Sequence, residues 1–414
     1  MMMKNCTSGS RESHARVPGV REERLFSVDY PVFPPGFLWG VSAAALRSSE
    51  DVALMADLGV GAYRMSIAWP RIQPDGAGKP NAEGLSYYDK LIDEVCAAGI
   101  APAITLYHWD TPQPIEDKGG WLSRDTAYRF AEYATIVGEH FADRAKLWIP
   151  LNEPMVMPIH GTSEFLLFVV LPTAHHQNLA HGLAVQALRA AGATGIGTAN
   201  NHSPVWPEHD TAADREAADW LDALINRTFA DPMLLGSYPE QVHPHLPDNF
   251  ADDLADIAQP LDFYGVNYYE PQGATAPGEG NPLPFELRPI EGYPLTTNDS
   301  PIVPHALREL LVSFHERYRE HLPPIQITEN GCSFADEPAA DGSVPDPERI
   351  EFLASHLHAL REAMEAGVDV RGYFVWSLLD NLEWSNRFGL VHVDYETQRR
   401  TPKDSFAWYR KLIR

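Results

Sequence analysis

The chain has 414 residues, 44% hydrophobic and 21% charged, enough to bury a large core and unlike a disordered or fibrous protein. Its formal charge of −25 argues against nucleic acid or an anionic membrane as partner, because phosphate-binding surfaces need clustered Lys and Arg. A neutral or cationic small molecule suits it better, and a solvated acidic surface that only aids solubility explains the charge equally well.

Cys6, Cys96 and Cys332 lie far apart with no CxxC pair, so neither a disulfide framework nor zinc is expected and a reducing cytoplasm fits. No stretch approaches the roughly 20 apolar residues of a membrane span, and the first 25 or so residues lack an apolar signal core. Residues 1–28 are polar and aperiodic and read as a disordered extension, with one catalytic domain over 29–414.

From there short apolar runs alternate with helical stretches. Strands are expected at 37–41, 62–67, 101–107, 147–152, 196–200, 263–268, 325–329 and 373–377. Between the first two, Ser49–Leu58 reads as a helix: Ser49 can cap it, Glu50 and Asp51 occupy its first turn and Gly59 can end it. Eight strand-then-helix units predict an α/β fold, a closed parallel (β/α)8 TIM barrel. There is no GxGxxG, Walker A or GxSxG motif. The Pro- and Gly-rich stretch 271–294 has neither helical nor strand period and reads as a long loop over the barrel mouth.

In such a barrel the polar residues at the C-terminal strand ends face the mouth. Here the fourth and seventh strands end in Glu153 and Glu329. One such glutamate is usually a solvated or salt-bridged loop acid. Two across one mouth match glycosidic cleavage, in which one carboxyl protonates the leaving oxygen and the other attacks the anomeric carbon or activates water. Asn152 has a side chain available for a sugar hydroxyl, and Arg64 is suited to hold Glu329 ionised. The histidines, His175 and His176 included, show no metal-ligand spacing, so neither metal nor cofactor is expected.

Six motifs in order, GVGAYRMSIAWPRI from Gly59, ITLYHWDTPQ from Ile104, WIPLNEP from Trp148, FYGVNYY from Phe263, ITENG from Ile327 and GYFVWSLLDNLEW from Gly372, make the chain resemble glycoside hydrolase family 1, the β-glucosidase family, over residues 33–410. The resemblance implies Glu153 as acid/base and Glu329 as nucleophile, with Arg64, Asn152 and Tyr268 positioning or tuning them. It also implies that His108, Trp109, Trp376, Glu383 and Trp384 line the subsite for the non-reducing sugar. Retention of configuration follows, with carboxyl groups about 5 Å apart. Taken singly, the tryptophans are as readily rim packing and His108 a buried structural histidine.

The chain also departs from the family pattern. Trp39-Gly40 runs through Val41-Ser42-Ala43 almost directly into the helix near Ser49, so a long loop carrying a sugar-binding Gln has no counterpart, and a second shortening follows Trp384. The expected pocket is wider and wetter on the side of the missing loop, with an altered glycone or aglycone, and a neighbouring subunit of a homo-oligomer would be one way to cover the gap. Two alternatives stay open: a transglycosylase using the same covalent intermediate, and a non-catalytic carbohydrate-binding barrel.

Overall fold

The computed structural model describes residues 30–43, 49–156, 167–381 and 386–414; the expected N-terminal extension at 1–28 lies outside them. Eight parallel strands form one sheet: β1 (Leu38–Ala43), β2 (Ala62–Ser66), β3 (Ala101–Tyr107), β4 (Leu147–Leu151), β5 (Asn200–Asn201), β6 (Tyr264–Asn267), β7 (Ile325–Asn330) and β8 (Val370–Trp376). β1 pairs with both β2 and β8, and the Trp148–Ile196 and Asn152–Ala199 bridges join β4 to the β5 segment, closing the barrel. All eight expected strands are present, with ends displaced by a few residues. The fifth is the most irregular: the expected run 196–200 makes only isolated bridges before Asn200–Asn201 pairs with β6.

A helix follows each strand: α1 (Ser49–Leu58), α2 (Ala82–Ala97), α3 (Asp125–Phe141), α4 (Leu167–Ala190), α5 (Phe250–Ile257), α6 (Pro304–Tyr318), α7 (Pro347–Glu365) and α8 (Asp404–Ile413). α1 ends as its sequence predicts, at Gly59 with φ +89°, a left-handed conformation that costs glycine little. The main core lies between sheet and helices, while Ala62, Ala103 and Phe374 fill part of the barrel interior. Small residues opposite one large ring let the interior close without a void.

An aromatic block of Trp69, Tyr107, Trp121, Phe130 and Tyr133 supports the ends of β2 and β3. The Tyr133 hydroxyl bridges the carbonyls of Ile67 and Leu106 at 2.7 and 3.0 Å, tying together the two strand ends from which the site rises.

The stretch 271–294 is not simply a loop. Gln272–Thr275 and Glu286–Arg288 pair with each other, and Val205–Pro207 adds to the former, making a small three-stranded sheet. Strands of three or four residues are too short to register as a period in sequence. Among the described residues no helix is long and apolar enough to cross a membrane.

Candidate active site

Glu153 and Glu329 stand at the C-terminal ends of β4 and β7, 4% and 3% exposed. Different backbone irregularities deliver them. On a regular strand neighbouring side chains point to opposite faces, which would turn Glu153 away if Asn152 faced the site. Glu153 leaves the strand with φ +44°, unusual for a residue with a Cβ, and both side chains reach the same hydrogen-bond network. Glu329 follows a register shift after Ile327, and that bulge lets Thr328 and Glu329 both contribute to the site. Gly331, two residues on, is required by space: a Cβ there would lie 1.7 Å from the Trp376 carbonyl oxygen.

One continuous network joins the two carboxylates. Arg64, 3% exposed, forms an ion pair through Nη1 with Glu329 Oε1 and donates from Nη2 to Asn152 Oδ1. The rest of its guanidinium is fixed by Thr105 Oγ1 at 3.1 Å and the Thr328 carbonyl at 3.2 Å. Asn267 Nδ2 donates to Asn152 Oδ1 at 3.1 Å and to Glu153 Oε1 at 2.8 Å, while the Thr328 hydroxyl occupies Asn267 Oδ1 at 2.6 Å. With its oxygen so engaged, the Asn267 amide presents its NH2 group to Glu153. Buried polar and charged groups in this arrangement compensate one another, as burial requires.

Tyr268 does not take the place expected of it. Its ring is buried against His356 and its hydroxyl donates to the Val303 carbonyl at 2.8 Å. The Tyr269 hydroxyl is the one that reaches Glu329, donating to Oε2 at 2.7 Å. Strand alternation explains the exchange: Asn267 faces the site, so its immediate neighbour faces the surrounding helices and the next residue faces inward again. Applied to Asn267-Tyr268-Tyr269, that rule selects Tyr269 from the sequence.

His108 lies at the rim with Nε2 3.3 Å from Asn152 Nδ2 and Nδ1 3.2 Å from Ser66 Oγ. Burial, then the charge of Arg64, push its imidazole down to about 3, so it is neutral near pH 7. Its ring centre is 5.2 Å from Trp109 and 5.8 Å from Trp376, and Trp109 Nε1 donates to the Asn152 carbonyl at 3.1 Å. The structure thus brings Arg64, His108, Trp109, Asn152, Glu153, Glu329 and Trp376 together. Asn267, Tyr269, Thr105 and Ser66 join them without having been singled out in the sequence.

Glu383 and Trp384 lie outside the described residues, but their flanks are firmly held. The Asp380 carboxylate accepts from the Gly389 backbone N–H at 3.0 Å, Arg387 at 2.9 Å and Lys403 at 2.8 Å. Lys403 also donates to Asp336 at 2.6 Å, and Arg349 pairs with both Asp336 and Asp346. His175 sits between Tyr238 and Asp253, and His176 contacts the Trp121 carbonyl, both as parts of the packing around α4.

A paired carboxylate site in a barrel mouth, rimmed by aromatic rings and a neutral imidazole, has the chemical equipment for glycoside cleavage. The family model for glycosyl hydrolase family 1 matches residues 46–414. A thermostable β-glucosidase B of Thermobispora bispora is 42% identical over 441 aligned positions, spanning 92% of this chain and 90% of that protein. A bifunctional β-D-glucosidase/β-D-fucosidase of Bifidobacterium breve is 42% identical over 89% of this chain and 86% of its own. The family 1 β-glucosidase of Thermotoga maritima, solved in complex with isofagomine lactam, superposes with a TM-score of 0.87 at 35% identity, covering 92% of this chain and 98% of that one. The first alignment exceeds the 414 residues of the whole chain, so that relative carries residues with no counterpart here. The chain belongs to glycosyl hydrolase family 1.

Proposed function

We propose that Glu153 is the acid/base and Glu329 the nucleophile with which this chain removes a non-reducing terminal β-linked sugar, β-glucosides and β-fucosides first among its substrates. Family membership, with relatives at 35–42% identity over most of the chain, makes it a retaining β-glycosidase; the assignment of roles to residues is our reading. The observation that carries the assignment is the asymmetry of the two carboxylates. Glu329 faces a guanidinium and a phenol, donors that suit a carboxylate held ready to attack. Among its contacts Glu153 accepts from a neutral amide, a setting compatible with a carboxyl that must carry and return a proton.

In the first step Glu329 attacks the anomeric carbon while Glu153 protonates the departing oxygen, leaving a glycosyl ester on Glu329. In the second, Glu153 takes a proton from water, which attacks the same carbon and frees Glu329, so two inversions retain the configuration. Arg64 and Tyr269 hold the Glu329 carboxylate in line, and Asn267 holds Glu153. His108, Trp109 and Trp376, joined in this reading by Glu383 and Trp384, take the sugar through hydroxyl contacts and ring stacking. We place the reaction in a reducing cytoplasm, a reading that the widely spaced cysteines support.

The test is hydrolysis of 4-nitrophenyl β-glucoside, β-fucoside, β-galactoside, β-xyloside and β-mannoside by the purified chain beside Glu329→Ala. Nitrophenol release from the glucoside and fucoside that vanishes in the variant is the expected result. Silence of the parent on all five, or equal release by the variant, refutes the reading.

A further inference from the structure

His108 is shared between two spaces. Its Nε2 edge faces Asn152, a member of the carboxylate network, while its Nδ1 edge faces Ser66, and His108 and Ser66 both line a separate cavity of about 210 Å³ at the ends of β2 and β3. Arg71, Tyr87, Tyr88 and Asp110 also line it. The Arg71 guanidinium lies over the Tyr87 ring, 4.6 Å from its centre, and Tyr87 is 42% exposed. Arg71 is held there by the two tyrosines, stacked on Tyr87 and hydrogen-bonded to Tyr88, and its charge acts on the Asp110 carboxylate, so a fixed guanidinium and a carboxylate face one space.

Those walls select a ligand class. One cation and one anion facing the same space favour neither an anionic nor a cationic ligand, but together they bond a hydroxylated one as donor and acceptor, while the aromatic surface suits the C–H face of a pyranose. The volume lies below the roughly 300–1,000 Å³ of sites that enclose drug-sized ligands, which matches a single ring rather than an oligosaccharide. Its link to the glycone side is His108, which lines this space and contacts the first sugar in our reading.

We propose that this cavity is a second glycone-side subsite that accepts one further neutral sugar ring, so that the enzyme releases a disaccharide intact from its aglycone. The inference rests on the Glu153 and Glu329 assignment. The chemistry is unchanged: the C1–O bond to the aglycone breaks, the disaccharide is carried as an ester on Glu329, Glu153 supplies the leaving group's proton, and water completes the transfer. Only the size of the group transferred differs.

The experiment follows the first products from 4-nitrophenyl β-glucoside and from 4-nitrophenyl β-glycosides of β-1,2-, β-1,3-, β-1,4- and β-1,6-linked glucose disaccharides, using the full chain, Asp110→Asn and Arg71→Ala. The expected result is intact disaccharide with nitrophenol from at least one linkage. In both variants kcat/KM for that release falls about tenfold or more while glucoside hydrolysis stays within about twofold, as loss of a hydrogen bond to a bound hydroxyl predicts. Asp110 is an exposed position, so Asp110→Asn reports on the site even where Arg71→Ala disturbs packing. Glucose and nitrophenyl glucoside as the only first products from every linkage overturn the proposal, as does disaccharide release unaffected by Asp110→Asn. Absence of hydrolysis of any substrate, the glucoside included, refutes the glycosidase assignment and the subsite with it.

Discussion

Replacing Tyr269 by Phe removes the hydroxyl that donates to Glu329 Oε2 at 2.7 Å. A hydrogen bond to a charged group is worth about 1.5–3 kcal/mol, and a rate falls tenfold for each 1.36 kcal/mol or about that. The expected loss in kcat/KM is therefore roughly 10- to 100-fold, towards the lower end because Glu329 gives up its charge on attack and part of the bond is spent holding the ground state. Tyr268→Phe is the control: it removes the 2.8 Å donor to the Val303 carbonyl, which keeps the Ala306 N–H at 3.2 Å, at a cost of about 0.5–1.5 kcal/mol in stability and little in rate. Initial rates on 4-nitrophenyl β-glucoside combined with urea midpoints separate the two effects. A variant pair in which Tyr268→Phe loses activity and Tyr269→Phe does not would refute the alternation argument.

Lys403→Met removes a cation shared by Asp336 and Asp380, and breaking a buried ion pair from one side costs about 3–5 kcal/mol; an unchanged denaturation midpoint contradicts the role given to this network. Stability should also fall on acidification from about pH 6.5 to 4. Burial pushes His181, His202 and His356 down to about 4, so in that window the unfolded chain binds protons that the folded chain refuses. Asp346 acts in the opposite sense, since burial raises its carboxyl to about 6 and the folded chain holds that proton longer. The net slope near pH 5 is roughly 2 kcal/mol per pH unit, read from urea midpoints at a series of pH values, and a flat profile from pH 6.5 to 4 refutes it.

Much of this organisation was legible from residue order, for reasons particular residues make plain. The strands are apolar runs bounded by Gly or Pro, and the glutamates end two of them, so barrel and carboxylate pair followed from pattern alone. What stayed hidden depended on where side chains point. Asn267 and Tyr269 were visible as strand-end residues, but separating Tyr269 from Tyr268 requires carrying the two-residue alternation past the strand end. Glu153 breaks that alternation with a left-handed backbone and Glu329 with a bulge, features that leave no mark in composition. The small sheet inside 271–294 escaped because its strands are too short to show a period, and Thr105 and Ser66 are polar residues whose importance comes from what lies across the barrel.

In the proposed mechanism Glu329 forms a covalent glycosyl intermediate. Incubation with a 2-deoxy-2-fluoro β-glucoside bearing a good leaving group, followed by intact-mass and peptide mass spectrometry, tests it most directly, because the fluorine slows the second step and lets the ester accumulate. One fluoroglucosyl adduct is expected on the peptide containing Glu329, absent from Glu329→Gln. An active enzyme that accumulates no adduct, or carries it on another residue, contradicts the claim.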